Sequence, residues 1–450
     1  MNVRLLFDVL RTLRRFRQHD LWARTELEAY QNAALESLRE WAYGHSRFYR
    51  EFHRSLLQAP LQDLPVLTKT TMMEHFEALV TDPSLRLSEV RAHLTAASAG
   101  RFRNTYEVVA TSGSTGNPGI FLFDSTEWSI IMASFARARE WAGLRLNPFR
   151  CSRMAVVSST NERNVSARVG KAADTPFLPT LRLDATQPLP EIVAALNTWG
   201  PEVLVAYASM AHCLALEQLA GRLAIHPRAV FTSSEVLTAG MRRRLVDVWG
   251  DVVFDEYAST ETATIAAEDT SHHGLHLFED LLIVENVDAD NRPVSPGAFG
   301  NKLLVTVLFI RTQPLIRYEI SDSVRFAIHP PTCRLPFRTI DGVQGRREDV
   351  LIFRGATRAP VQVHPNVFHD VMDAIPSNGW QIIQEADALK ALIVASAGTP
   401  DASAVRAKIT ATLSDRGVAV PAVYVEHVDA IPKAASGKTP LIKAYRPRGE

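Results

Sequence analysis

The chain has 450 residues, 46% apolar and 22% charged, with 25 Pro, 22 Gly and 8% aromatic, a balance that fits a globular protein and excludes disordered and collagen-like chains. At about 150 residues per domain this length predicts two domains, with room for a third. The 49 basic and 49 acidic residues cancel, so a nucleic-acid partner gripped through its phosphates is not expected.

The N-terminal stretch from Val3 to Phe16 carries Leu6, Leu10 and Leu13 with arginines between them, a helical stripe that either docks on the domain or lies on a membrane surface, docking being the preferred reading. Arg14 and Arg15 are followed by Phe16-Arg17-Gln18-His19-Asp20 rather than an apolar core, so no export signal is expected. Core helices are predicted over Leu27 to Ala42, where Leu38 and Trp41 share a face, and over Trp128 to Trp141. Between Leu181 and Ala239, helical segments (Leu189 to Trp199, Met210 to Ala220) alternate with short apolar runs (Val203 to Ala206, Ala229 to Thr232). That is the mark of parallel strands crossed by helices.

Leu281 to Val287 and Leu303 to Ile310 flank a turn-rich segment and predict a β-rich subdomain. No run approaches the roughly 20 apolar residues that span a bilayer. After Gly345 the pattern restarts: strand Val350 to Phe353, helix Pro365 to Ile375, strand Leu389 to Ala395, helix Ser403 to Arg416 and a final strand Val423 to Glu426. The expected architecture is α/β, a large multi-subdomain N-terminal domain (1–346) followed by a small mobile α+β domain (347–450). Cys151, Cys213 and Cys333 are too scattered for a disulfide framework or a thiolate cage and suit a reducing, cytoplasmic compartment.

The most informative stretch is Thr111-Ser112-Gly113-Ser114-Thr115-Gly116-Asn117-Pro118-Gly119, set between two strand-like segments. Small residues let backbone N–H groups approach phosphate oxygens, and the hydroxyls add donors without bulk. It is neither a Walker loop nor a dinucleotide fingerprint. Further along come Asp255-Glu256-Tyr257-Ala258-Ser259-Thr260-Glu261, Ile316-Arg317-Tyr318-Glu319-Ile320-Ser321-Asp322, Gly345-Arg346-Arg347-Glu348-Asp349, and Ile431-Pro432-Lys433 to Ser436-Gly437-Lys438. In this order the five segments resemble the adenylate-forming ligases, and within them the phenylacetate–CoA ligase branch. Gly274-Leu275-His276 with Glu279-Asp280 resembles the same branch.

The resemblance implies attack of a carboxylate on the α-phosphate of ATP, giving an acyl-adenylate and pyrophosphate, then acyl transfer to CoA, a carrier-protein thiol, or a small-molecule amine or hydroxyl. Ser112, Gly113, Ser114, Thr115 and Gly116 would hold the β- and γ-phosphates, although Gly119 stands where many relatives have lysine. Glu261 would bind Mg²⁺, flanked by Ser259 and Thr260. Tyr257 would pack on the adenine, with Ser234 and Glu235 on its other side. Asp322 would accept from both ribose hydroxyls; its plainer alternative is a salt bridge to Arg317 or Arg325. Arg346 would reach ribose or phosphate, Glu348 would mark the hinge, and Lys438 would bridge carboxylate and α-phosphate, with Lys433 its competitor.

Trp128, Phe135, Tyr207 and Ser209 are expected around the acid, an aryl acid in many relatives. Relatives can carry a cysteine-rich zinc site; Asp269, His272, His273 and Cys333 are an unusual set for it, and no structural zinc is expected. No nucleophile elbow or other hydrolase pattern is present in the sequence. A monomer or homodimer is expected. The competing class is a nucleotide-binding scaffold or sensor that has lost catalysis, suggested by Gly119 and Glu348 and opposed by Glu261, Asp322, Arg346 and Lys438.

Overall fold

The computed structural model describes residues 3–96, 100–111, 118–145, 151–357 and 359–446. Its centre is a nine-stranded sheet in the order Asp322–Phe326, Thr339–Arg346, Leu275–Leu277, Ala263–Glu268, Val253–Ser259, Ala229–Ser233, Val203–Tyr207, Met154–Ser158 and Thr180–Asp184. The last five run parallel, joined by crossover helices such as Leu189–Trp199 and Ala208–Leu219, as the alternating pattern predicts. Because strand side chains alternate, this part of the sheet has two distinct faces. Ala155, Val157, Leu204 and Ala206 pack under the crossover helices. Met154, Val156 and Val203 point the other way, with Phe231 and Phe254.

The N-terminal helix runs Val3–His19 and docks: Leu5, Val9, Leu13 and Phe16 are buried in the same core as helix Ser125–Trp141. Each such side chain contributes about 1.5–3 kcal/mol of burial. A buried charge cluster seals the contact, with Arg137 donating to Asp280 at 2.8 and 3.0 Å and His19 Nδ1 lying 2.7 Å from the same carboxylate. The helix Arg24–His45 forms as predicted, but Trp41 is not core; it is exposed, stacks on His45 and donates to the Arg311 carbonyl. Strands Leu282–Val287 and Lys302–Val307 pair antiparallel with Tyr318–Ile320 in a separate three-stranded sheet.

Beyond Arg346 a second core gathers Leu351, Phe368, Trp380, Ile382, Ile393, Ile409 and others around a four-stranded sheet. Strand Ser377–Gln384 was not among the expected elements; it pairs antiparallel with Ala388–Ala395. Strand Ala422–His427 is not the last; Ile442–Lys443 returns to lie parallel to Ser377–Gln384. The intervening segment 428–441 meets residues that follow the parallel strands of the large sheet, at Ala185 and Glu235. Among the described residues no helix is long and apolar enough to cross a membrane.

Candidate active site

The parallel strands end in loops along one edge, and there the chain opens a cavity of about 1480 Å³. Its wall includes Thr111, Tyr207, Ser234, Ser259, Thr260 and Glu261, and also Asp322, Arg346, Glu348 and Lys438. Four of the five sequence segments therefore meet at one place. Of the fifth, Thr111 reaches the wall, while Ser112, Gly113, Ser114, Thr115 and Gly116 lie outside the described residues.

Asp322 begins its strand with both plainer partners engaged elsewhere. Arg317 pairs with Glu285 at 3.0 Å and donates to the Gln62 carbonyl, and Arg325 pairs with Asp341 at 2.7 Å. The Asp322 carboxylate accepts instead from the Tyr257 hydroxyl at 2.6 Å, with Arg346 Nε 3.6 Å away. Tyr257 is thus not in the cavity wall; its phenol fixes Asp322 from behind, and burial beside that carboxylate drives its pKa well above the usual value. Glu261 faces the cavity and receives the Tyr318 hydroxyl at 3.4 Å. Burial pushes its pKa up, opposed by hydrogen bonding from Ser259 and by Arg346. A carboxylate flanked by two hydroxyl side chains is a donor set that suits Mg²⁺, which binds through one or two carboxylates and completes its shell with phosphate oxygens and water.

Lys438 arrives from segment 428–441. Its ammonium lies 5.5 Å from the Tyr207 ring centroid, and burial, then repulsion from Arg346, lowers its pKa. The turn carrying it seats on the large sheet through backbone. Gly437 has φ +81°, and a Cβ there would lie 2.7 Å from that of Ala185. Lys433 donates to the Ala185 carbonyl at 2.8 Å, so its ammonium is a docking contact rather than a competitor for the reaction. Asp184 stiffens that platform by accepting from the hydroxyls and backbone N–H groups of Thr160 and Thr186, which against the effect of burial lower its pKa to about 2.

Glu235 corrects an expectation. Ser234 takes φ +69° and lines the cavity, and this turn sends the next side chain inward. The Glu235 carboxylate accepts from Ser209 N at 2.9 Å and from Thr439 N at 2.8 Å, tying the edge of the large sheet to the residue after Lys438. Of the four residues expected around the acid, Phe135 and Tyr207 line the cavity. Trp128 is buried at 1% exposure and packs on Phe123, and Ser209 is buried and gives its backbone N–H to Glu235; neither belongs to the wall. Trp128 shares the helix face of Met132, Phe135 and Arg139 but lies at the N-terminal end of the helix, where core packing covers that face.

Lys69 went unnoticed in the sequence because it belongs to none of the motifs. It lines the cavity, and its Cδ lies 3.5 Å from where a Gly119 Cβ would stand, so a cation borders the place where Gly119 replaces lysine. Glu348 accepts from Ser321 Oγ at 2.7 Å, and its carbonyl accepts from Arg446. Away from the cavity, Cys333 Sγ lies 3.6 Å from His276 Nε2, itself 3.5 Å from Asp269. His272 turns to Asp251 and Glu268 instead. The donors that gather are therefore Asp269, His276 and Cys333, one short of a four-ligand structural zinc set among the described residues.

No family model matches the chain. Protein CapK of Staphylococcus aureus is 24% identical over 319 residues, 66% of this chain and 63% of CapK, so the chain spans a little under two thirds of that relative. The phenylacetate-coenzyme A ligase of Thermus thermophilus is 24% identical over 372 residues, covering 78% of this chain and 76% of that enzyme. Among solved structures, 2-hydroxyisobutyryl-CoA ligase in its postadenylation state superposes with a TM-score of 0.74 at 18% identity, over 96% of this chain and 92% of that one. The same ligase in its thioesterification state gives 0.60 at 19% identity over 95% and 92%. Motif order, fold and relatives point the same way: the chain is similar in sequence to phenylacetate-coenzyme A ligases and to CapK, and it has the fold of 2-hydroxyisobutyryl-CoA ligase.

Proposed function

We propose that the protein activates a carboxylic acid with ATP as an acyl-adenylate, releasing pyrophosphate, and then passes the acyl group to CoA. The observation that carries this reading is the convergence of Lys438 with Glu261, Asp322 and Arg346, from four separate sequence segments, on one cavity. A carboxylate is a poor electrophile; joining it to phosphorus as a mixed anhydride supplies a good leaving group. The attack concentrates negative charge around the α-phosphate, and fixed cations in a site shielded from water stabilise it without reorganising.

In this reading Asp322 accepts from the ribose hydroxyls, its orientation set by Tyr257. Arg346 and Lys438 neutralise oxygens at the reacting phosphorus, and Lys69 adds a cation beside Gly119. Glu261 would hold Mg²⁺, which neutralises phosphate charge when bound. Phe135 and Tyr207 offer aromatic surface to the acid, which supports an aryl or other apolar acid over a charged one. The division into domains 1–346 and 347–450 places a pivot at Glu348, whose contacts with Ser321 and Arg446 would change as the smaller domain rotates between half-reactions. The relatives' names favour CoA over a carrier-protein thiol or a small-molecule amine or hydroxyl as acceptor.

ATP–pyrophosphate exchange with a panel of acids tests the first half-reaction. Lys438→Ala should cut exchange by orders of magnitude yet leave acyl transfer from supplied acyl-adenylate measurable. Exchange unaffected by K438A, or no acid-dependent exchange at all, would overturn the reading.

A further inference from the structure

The cavity does not end at the nucleotide. From Ser158 and Tyr207 at the strand ends it continues down the sheet face past Val156 and Val205 to Met154 and Val203. These are alternate residues of two neighbouring strands, so one face of the pleat forms a continuous wall. Four residue steps from Ser158 back to Met154 make that arm about 13 Å long.

The opposite walls are helix faces. Met132, Phe135, Ala136 and Arg139 face it from Ser125–Trp141 at helical spacing. Val165, Val169, Gly170 and Ala173 face it from helix Val165–Ala173. At the outer end stand Leu6, Val9 and Leu10 of the N-terminal helix, with Phe177. Leu10 is 44% and Phe177 46% exposed, so the arm opens to solvent between them.

The sheet floor and helix faces of the arm are mainly apolar, with Ser152, Asn164, Ser166 and Thr175 also in its wall. The charged pair bordering it, Arg139 and Glu256, meets at 2.7 Å with Arg139 also stacked 4.5 Å over Phe231, so the two charges offset each other. Arg145 and Arg228 stand only at the far rim. Small side chains, Gly170 and Ala173 against Val156, keep the space open. A single-ring acid would occupy only the portion beside Phe135 and Tyr207, leaving the remainder of the arm without a partner.

We infer that the acid is elongated and predominantly apolar, its carboxylate at Lys438 and its tail lying along the sheet face toward the N-terminal helix. This rests on the adenylation reading above and narrows its substrate class. It also gives the N-terminal helix a role: Leu6, Val9 and Leu10 form the far wall for the tail.

The test is ATP–pyrophosphate exchange by the full chain with straight-chain acids from acetate to hexadecanoate, and with ω-phenylalkanoates of rising length beside benzoate and phenylacetate. The first series reports an alkyl tail, the second a ring carried on a tail. The expected kcat/KM climbs by about tenfold for every two methylenes buried, reaching its maximum well beyond phenylacetate. Gly170→Phe plugs the arm. A Cβ at that position meets Arg182 at 3.7 Å and Val156 at 4.0 Å, ordinary contacts, and since Gly170 lines the cavity the added ring should fill part of the arm. G170F should move the optimum in both series toward shorter acids. Robust exchange confined to benzoates, phenylacetate or short acids, or a chain-length optimum that G170F leaves in place, would overturn the elongated-acid inference while leaving adenylation standing. No exchange with any acid would overturn both.

Discussion

Glu235→Gln isolates the seating of Lys438 from its chemistry. The carboxylate accepts two backbone N–H groups, one on each side of the junction, at 2.8 and 2.9 Å. Gln keeps the shape but offers one carbonyl oxygen and one NH₂, so one of those donors would face another donor. The lost bond is charge-assisted, worth about 1.5–3 kcal/mol, and nearly all of it falls on the docked arrangement because Ser209 and Thr439 meet only there. That converts to a loss of roughly ten- to a hundredfold in the docked population and hence in ATP–pyrophosphate exchange. Acyl transfer from supplied acyl-adenylate should change far less, and the melting temperature should stay close to that of the parent chain. Gly437→Ala attacks the same seat from the other side, through a Cβ 2.7 Å from Ala185 and a φ of +81°, and should reproduce the split between half-reactions. Burial pushes the Glu235 carboxyl up; were it protonated in the docked state, Gln would be nearly isosteric and exchange would not fall. Unchanged exchange, or an equal loss in both half-reactions, would refute the latch.

The remaining predictions concern charge at the nucleotide. Glu261→Gln should raise the magnesium concentration for half-maximal exchange by roughly ten- to a hundredfold, since one charged oxygen ligand is lost; an unaltered magnesium titration would remove Glu261 from that role. Lys69→Ala should raise KM for ATP by roughly tenfold with a smaller effect on kcat, as expected of a cation near the phosphates; no change in KM would count against it. Because burial and Arg346 lower the Lys438 pKa, the ammonium is lost as pH rises through a value below the ordinary lysine range, and exchange should fall on the alkaline side accordingly. Arg346→Gln removes the like charge, so its residual exchange should show that alkaline limb displaced to higher pH; a limb displaced the other way would contradict the assignment.

Local signals in the chain settled a good deal. Alternation of apolar runs with helical stripes between Leu181 and Ala239 predicts parallel strands with crossovers, because strand and helix periods are local properties that tertiary packing there did not override. Motif order likewise selected Glu261, Asp322, Arg346 and Lys438, and the structure brings these four to one cavity. What the residues face was decided elsewhere. Trp128 and Phe135 read alike as aromatics on an amphipathic helix, yet one is core and the other cavity wall, because what packs against their shared face differs from turn to turn. Glu235 reads as lining the base until the left-handed Ser234 turns it toward Thr439, some two hundred residues away in sequence. The His276 contact with Cys333, the Lys69 position beside Gly119, and the arm bordered by the N-terminal helix all join segments that share no local pattern. Periodicity reports which side of an element avoids water; which other segment covers that side, and where it fails to, is set by long-range packing alone.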